Sequence, residues 1–261
     1  MTVPPFHWWR TVFWLIPAIT VYTIILGTLS IGSSLLSSRG YFAHACARMW
    51  SRLILATTGV RVQIRGLEQL QRGKTYVFVA NHQSIYDIPV VFASLPYQLR
   101  IIAKDSLGSF PFLGWHLSRT GHLLVDRRKA DPRAVFNWAN SLTGRGLSLI
   151  VFPEGTRSAT GHLGPFKGGS LYPAVQAGLP IVPISIAGSR HVMRKGRLMT
   201  CPGEVELVVH EPIETVAAAE PNIREVRALA QRVRAIIAPP VEAEASGLGA
   251  PGLDKFDHQR N

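Results

Sequence analysis

Between Arg10 and Arg39 lie 28 residues without a single Asp, Glu, Lys or Arg. About 20 apolar residues suffice to cross the hydrocarbon core of a bilayer, so this stretch commits the front of the chain to lipid. Its first part, Thr11 to Ile31, reads TVFWLIPAITVYTIILGTLSI, with Trp8, Trp9 and Trp14 near one end. Indole rings favour the membrane interface. Pro17 and Gly27 are places where the helix can kink or turn back, which lipid tolerates when the freed backbone groups find partners. A cleaved signal peptide is the competing reading, but its apolar region is shorter and its start more basic. The next stretch, Tyr41 to Gly59, mixes apolar and aromatic residues with Arg48 and Arg52 and reads as a second helix at the interface. A spanning helix and a hairpin in one leaflet both remain open. Arg39, Arg48 and Arg52 outnumber the upstream Arg10, which puts the bulk of the chain on the cytoplasmic face.

After Gly59 the pattern changes. Val60 to Ile64 alternates apolar and polar residues, the mark of a half-buried strand. Tyr76–Ala80, Leu99–Ala103, Leu147–Phe152 and Ile181–Ala187 are continuous apolar runs, as in strands covered by helices on both faces. Helical stretches fall between them at Ile88–Ser94, Pro132–Leu142 and Gly169–Ala177. That rhythm predicts an α/β fold with a mostly parallel central sheet flanked by helices. Glu204–His210 alternates again and reads as an edge strand. Ile223, Val226, Leu229, Val233 and Ile236 form the stripe of an amphipathic helix. Its arginines suit either anionic lipid or an ordinary solvated face. From about Pro239 the chain is rich in Pro, Gly, Ala and Glu, which predicts a loose tail. The expected organisation is membrane-anchoring helices over 1–58, an α/β domain over 59–238 and a flexible tail over 239–261.

Lys and Arg total 28 against 16 Asp and Glu, a net charge of +12. Such an excess attracts polyanions, whether lipid headgroups, phosphorylated substrates or nucleic acid. No nucleic-acid-binding motif is present, and the basic residues are scattered between apolar strands, so nucleic acid is not an expected partner. Two cysteines, Cys46 and Cys201, build neither a disulfide framework nor a metal site.

Three groups of residues carry chemistry. Asn81-His82-Gln83-Ser84-Ile85-Tyr86-Asp87 follows a buried strand, at the sheet end where open α/β folds place ligands. A histidine takes up a proton near neutral pH, and does so better when a carboxylate holds its other nitrogen. Asp87 can fill that role, or simply cap the following helix. No Gly-x-Ser-x-Gly elbow occurs, so the nucleophile is expected to be a hydroxyl of the substrate. Phe152-Pro153-Glu154-Gly155-Thr156-Arg157-Ser158 follows another buried strand. Arg157 suits a phosphate through its planar fork of donors, and a surface Glu154–Arg157 pair is the plainer alternative. Between Arg100 and Arg133 stand seven basic residues and three acids. Among these, Lys104 ends a strand and Arg127 closes the short run Gly-His-Leu-Leu-Val-Asp-Arg, while Arg128 and Lys129 read as a solvated face.

Together these pieces resemble the glycerolipid acyltransferases typified by 1-acylglycerol-3-phosphate acyltransferase. The four motifs of that family appear in order: Asn81 to Asp87, Gly121 to Arg127, Phe152 to Ser158, and Val182-Pro183-Ile184-Ser185-Ile186. Lys104 before Pro111-Phe112-Leu113-Gly114-Trp115, and Phe166-Lys167-Gly168 after the third motif, are similar too. The resemblance covers about residues 40 to 215, and the only departures are His122 and Leu124 at filler positions. It implies transfer of a fatty acyl chain from a thioester, acyl-CoA or acyl-ACP, to a glycerolipid hydroxyl at an anionic membrane surface. It further implies His82 as general base and Asp87 as its orienting partner. Arg127, Glu154, Gly155, Thr156 and Arg157 would hold the acceptor, and Lys104 its phosphate. Backbone amides near Gly155 are candidate donors for the thioester oxyanion. Neither metal nor cofactor is expected, and acyl carrier protein is a candidate partner.

The basic cluster favours lysophosphatidic acid as acceptor, with glycerol 3-phosphate or another lysolipid as alternatives. A metal-dependent hydrolase using His82, Asp87, His116 or His122 is less well supported, because no compact motif such as His-Glu-x-x-His is present. A non-enzymatic basic membrane binder would have no use for His82.

Overall fold

The structure, a computed structural model, describes residues 5–36, 40–126 and 132–246. Its centre is a seven-stranded sheet in the order β1-β7-β6-β2-β5-β3-β4. In chain order the strands are β1 (Val60–Arg65), β2 (Val77–Ala80), β3 (Leu99–Lys104), β4 (Leu123–Val125), β5 (Ser148–Val151), β6 (Ile181–Ala187) and β7 (Gly203–Val209). The five strands from β6 to β4 are parallel; β7 runs antiparallel to β6, and β1 parallel to β7. The apolar runs thus form a mostly parallel sheet, as predicted. Glu204–His210, expected at an edge, lies in β7 between β6 and β1, and the edge is β1. The reason is legible in burial. Val205, Leu207 and Val209 are buried, whereas β1 shows only Val60 buried and carries Arg61 and Arg65 outward to Glu204 and Glu206.

Alternation sorts the strands into two cores. In β2, Phe78 and Ala80 face one side with Ile150, Ile184 and Leu207, under α3 (Tyr41–Thr58) and α4 (Asp87–Ser94). Val77 and Val79 face the other with Leu149 and Ile181, under α6 (Pro132–Thr143), α7 (Tyr172–Gln176) and α9 (Ile223–Ala245). The predicted helix over 169–177 is a 3₁₀ turn, Gly168–Ser170, followed by α7. Leu113–Arg119 forms α5, a helix without a sequence expectation, and Ser189–Val192 forms α8. The stripe on α9 is buried at Val226, Ala230, Val233, Ile237 and Val241, while Ile223 is 61% exposed. Helix α9 is therefore a covering helix of the sheet. It also continues through Pro239 and Pro240 to Ala245, where the composition suggested a tail. Burial of Val241 and hydrogen bonds from Leu163 N and His162 Nδ1 to Glu242 hold that last turn in place. Residues beyond 246 lie outside the described ones.

The front of the chain is one continuous helical stretch: α1 (Phe6–Arg10), a π-helical turn (Thr11–Leu15) and α2 (Ile16–Leu36). Pro17 has no N–H to return to the preceding turn, and the wider π turn sits just before it. Phe6–Ser34 is the one described stretch long and apolar enough to cross a membrane by length and composition. It is also tied to the body along its length. Arg10 donates to Thr58 O at 2.7 Å, Tyr22 Oη lies 3.0 Å from Thr57 Oγ1, and Trp50 Nε1 donates to Thr23 Oγ1 at 2.9 Å. Ser30 Oγ is 2.5 Å from His116 Nδ1. Gly27 does not turn the helix; it lets Phe112 approach, for a Cβ there would stand 2.8 Å from Phe112 Cβ.

Candidate active site

The carboxyl ends of the parallel strands carry the candidate residues. At the end of β2, Asn81 clasps β6: its Nδ2 donates to Ile186 O and its Oδ1 accepts from Ile186 N, both at 2.8 Å. This fixes the turn that presents His82. The His82 N–H donates to Glu154 Oε1 at 2.7 Å, and its carbonyl accepts from Ser158 N at 2.8 Å. The imidazole stacks on Phe152, with centroids 4.4 Å apart and planes 28° apart. Ring position is therefore set by the third motif as much as by the first.

His82 Nδ1 lies 2.7 Å from Asp87 Oδ2. That oxygen also accepts from Gln83 N at 2.8 Å and Ser84 N at 2.9 Å. The two readings of Asp87, helix cap and histidine partner, thus meet in one oxygen. Asp87 is fully buried and His82 is 8% exposed. A carboxylate only accepts, so Nδ1 carries the proton and Nε2 is left as the basic nitrogen.

His82 lines a cavity of about 490 Å³ bounded by α2, α3, α4, α5 and the sheet. Its walls are mostly apolar, with Leu26, Ala47, Trp50, Ile88, Phe92 and Leu117 among them. Lys104, Thr156, Arg157 and Lys195 also line it, and none of the lining residues is Asp or Glu. His116 and His122 line it as well. His122 Nδ1 accepts from Ile101 N, three residues back along β3 from Lys104, which places it about 10 Å deeper. Burial holds the imidazoles of His116 and His122 well below their ordinary range, His116 at about 4, and the nearby Arg100 guanidinium adds to the effect.

The expected residues fare differently. His82 and Asp87 come together, and Lys104, Thr156 and Arg157 share their cavity. Glu154 does not face an acceptor: Oε1 takes His82 N and Oε2 takes Gly164 N at 3.1 Å. Burial pushes its carboxyl up, and those two N–H groups bring it part of the way back. It forms no ion pair with Arg157 among the described residues. Gly155 makes the turn, with φ +72°, and its N–H donates to Phe152 O at 3.1 Å. That amide is therefore not free for an oxyanion. Arg127 lies outside the described residues. Among those described, no three His, Cys, Asp or Glu side chains gather in a metal-binding group. Lys195 lies outside all four motifs, and its only signal in the sequence is the basic run Arg194-Lys195-Gly196-Arg197.

Comparison with known proteins agrees with the motif reading. A family model described as Acyltransferase matches residues 61–187. A 1-acyl-sn-glycerol-3-phosphate acyltransferase from the chloroplast of Brassica napus is 35% identical over 180 residues, 67% of this chain and 51% of that protein. The chain spans about half the length of such chloroplast relatives. A 1-acyl-sn-glycerol-3-phosphate acyltransferase of Salmonella typhimurium is 31% identical over 181 residues, 69% of this chain and 72% of the relative. The crystal structure of the 1-acyl-sn-glycerophosphate (LPA) acyltransferase of Thermotoga maritima superposes with a TM-score of 0.70 at 29% identity, covering 86% of this chain and 93% of that one. With a relative of this identity matched over most of its length, and with the same fold in a solved structure, the chain belongs to the glycerolipid acyltransferase family.

Proposed function

We propose that this chain transfers a fatty acyl group from an acyl thioester, acyl-CoA or acyl-ACP, to the free hydroxyl of 1-acylglycerol 3-phosphate, forming phosphatidic acid. One observation carries the reading. A buried His82–Asp87 pair offers its free imidazole nitrogen to an apolar cavity whose lining includes Lys104 and Arg157 and no acid. His82 Nε2 takes the proton of the lipid hydroxyl as its oxygen attacks the thioester carbonyl. Asp87 stabilises the imidazolium that forms. As the tetrahedral intermediate collapses, the thiolate leaves and receives that proton from His82. General-base catalysis supplies about 10²–10⁴ in rate; holding hydroxyl and thioester together supplies much of the rest. The cavity takes an acyl chain, and Lys104 and Arg157 take phosphate.

Membrane attachment goes with this reading. Phe6, Phe13, Trp14, Ile25 and Leu29 are exposed on the N-terminal helix, as are Tyr41 and Phe42 on α3. Arg10 of α1 and Tyr22, Thr23 and Ser30 of α2 are bonded to α3 and α5, and the rest of this helical stretch is left for lipid. We favour a helix pair bedded in one leaflet, with the body on the cytoplasmic face that Arg48 and Arg52 prefer.

The test uses membranes carrying the wild-type protein or His82→Ala, each given lysophosphatidic acid and labelled acyl-CoA or acyl-ACP. Phosphatidic acid forms with the wild type and falls about 10²–10⁴-fold in the variant. Equal rates from both would overturn the mechanism.

A further inference from the structure

Lys195 follows α8, beyond the matched stretch of 61–187 and beyond all four motifs. Its ammonium is nevertheless fixed on the third motif: Nζ donates to Thr156 Oγ1 at 3.1 Å and to Arg157 O at 2.8 Å. An ammonium has three N–H donors, and these two bonds leave one donor and the full charge for something else. Lys195 lines the same cavity as His82, Lys104 and Arg157.

The charge balance there is one-sided. Three cations line the cavity and no carboxylate does. Asp105, beside Lys104, does not line the cavity and accepts from Ser106 N, while Glu154 is engaged with two backbone amides and Asp87 with His82. The sheet order also matters. Lys195 comes from beyond β6 and Lys104 from the end of β3, with the loops after β2 and β5 between them. The cations therefore approach the His82 loop from both sides. An arrangement of like charges without a counter-charge is relieved by an anion, and a phosphate monoester at neutral pH carries about −1.5 to −2.

We propose that Lys195 is a phosphate-binding residue of the acyl-transfer site, acting with Arg157. The inference rests on the acyl-transfer reading and adds a residue to it. The phosphate belongs either to the lysolipid acceptor or to the phosphopantetheine arm of the thioester donor, and kinetics separate the two.

The experiment compares the full-length wild type, Lys195→Gln and Lys195→Arg in membranes. Lysophosphatidic acid and monoacylglycerol of the same chain serve as acceptors, and acyl-CoA as donor, each varied in turn. Loss of one charge-assisted hydrogen bond predicts that Lys195→Gln raises one KM about 10-fold to 100-fold, with most of the loss regained in Lys195→Arg. A rise in KM for lysophosphatidic acid, with a loss about tenfold greater than that for monoacylglycerol, assigns the acceptor phosphate. A rise in KM for acyl-CoA with both acceptors assigns the donor phosphate. A loss confined to kcat and equal for both acceptors, or no loss at all, overturns the proposal. Wild-type turnover tests the acyl-transfer reading separately. Should the wild type prove inactive, equilibrium binding of lysophosphatidic acid and of acyl-CoA reads the inference alone: Lys195→Gln weakens one of the two about tenfold, and unchanged binding of both overturns it.

Discussion

At the scale of single residues, the site depends on carboxylates that never touch substrate in the proposed reaction. Asp87 takes three donors on one oxygen, and Glu154 takes the backbone N–H of His82 on one side and of Gly164 on the other. The motif made Glu154 look like half of a substrate clamp, because an acid beside an arginine suggests charge. Its role as a bracket between two loops depends on contacts 72 and 10 residues away, which no local pattern records. Glu154→Gln tests the bracket. An amide keeps one acceptor and turns an NH₂ toward the other N–H, so one buried donor loses its partner at a cost of about 1–3 kcal/mol. The expected result is a lower unfolding midpoint in detergent together with a kcat reduced about tenfold or more, since the backbone under the general base shifts. A variant as stable and active as the wild type would show that the bracket is dispensable. Lys195 illustrates the reverse case: its role is invisible in sequence because the loop it grips lies 38 residues earlier.

At the scale of elements, continuous apolar runs located β2, β3, β5 and β6 to within a residue or two, and alternation located β1 and β7. The period-2 and period-3.6 patterns separated strand from helix. What the patterns did not carry was neighbourhood. Alternation in Glu204–Val209 is equally that of an edge or an interior strand, and only the pairing with both β1 and β6 decides. The end of α9 was missed for a related reason. Two prolines and a run of small residues lower helix propensity, but tertiary packing overrides propensity when the helix has a face to bury, and Val241 gives it one. The covering role of α9 is tested by a matched pair of variants. Ile237 is fully buried against the sheet, whereas Ile223, one end of the same stripe, is 61% exposed. Ile237→Ala is expected to cost about 2–5 kcal/mol and Ile223→Ala within about 0.5 kcal/mol in denaturant unfolding. Equal effects would mean that α9 covers nothing in solution.

At the scale of the whole molecule, the N-terminal helices are part of the body, and a buried histidine cluster joins them to it. His44 on α3, His116 on α5 and His122 before β4 surround Arg100 of β3, and Ser30 of α2 bonds His116. The charges acting on these imidazoles are Arg100, Arg48 and one another's protonated forms, all cationic, and only a backbone contact at Tyr97 works the other way, on His44. Burial, reinforced by that charge, lowers the imidazole of His44 to about 3 and that of His116 to about 4, against 6.5 when exposed. The fold thus requires neutral histidines, while the unfolded chain takes up protons readily. Stability is therefore full above pH 6.5 and is lost as the pH falls from there toward 4, by as much as about 1.4 kcal/mol per pH unit for each histidine. Between pH 6.5 and 5 the slope also contains His210, lowered by burial in the same sense, and Glu154 and Glu244, raised by burial with the opposite sign, so the cluster is read from the change in slope when His44 is removed. Thermal unfolding of the detergent-solubilised protein across this window should show a falling midpoint, and His44→Phe should make the fall shallower. Parallel slopes for the two proteins would mean that the α3 histidine meets protons in the folded state as easily as in the unfolded one.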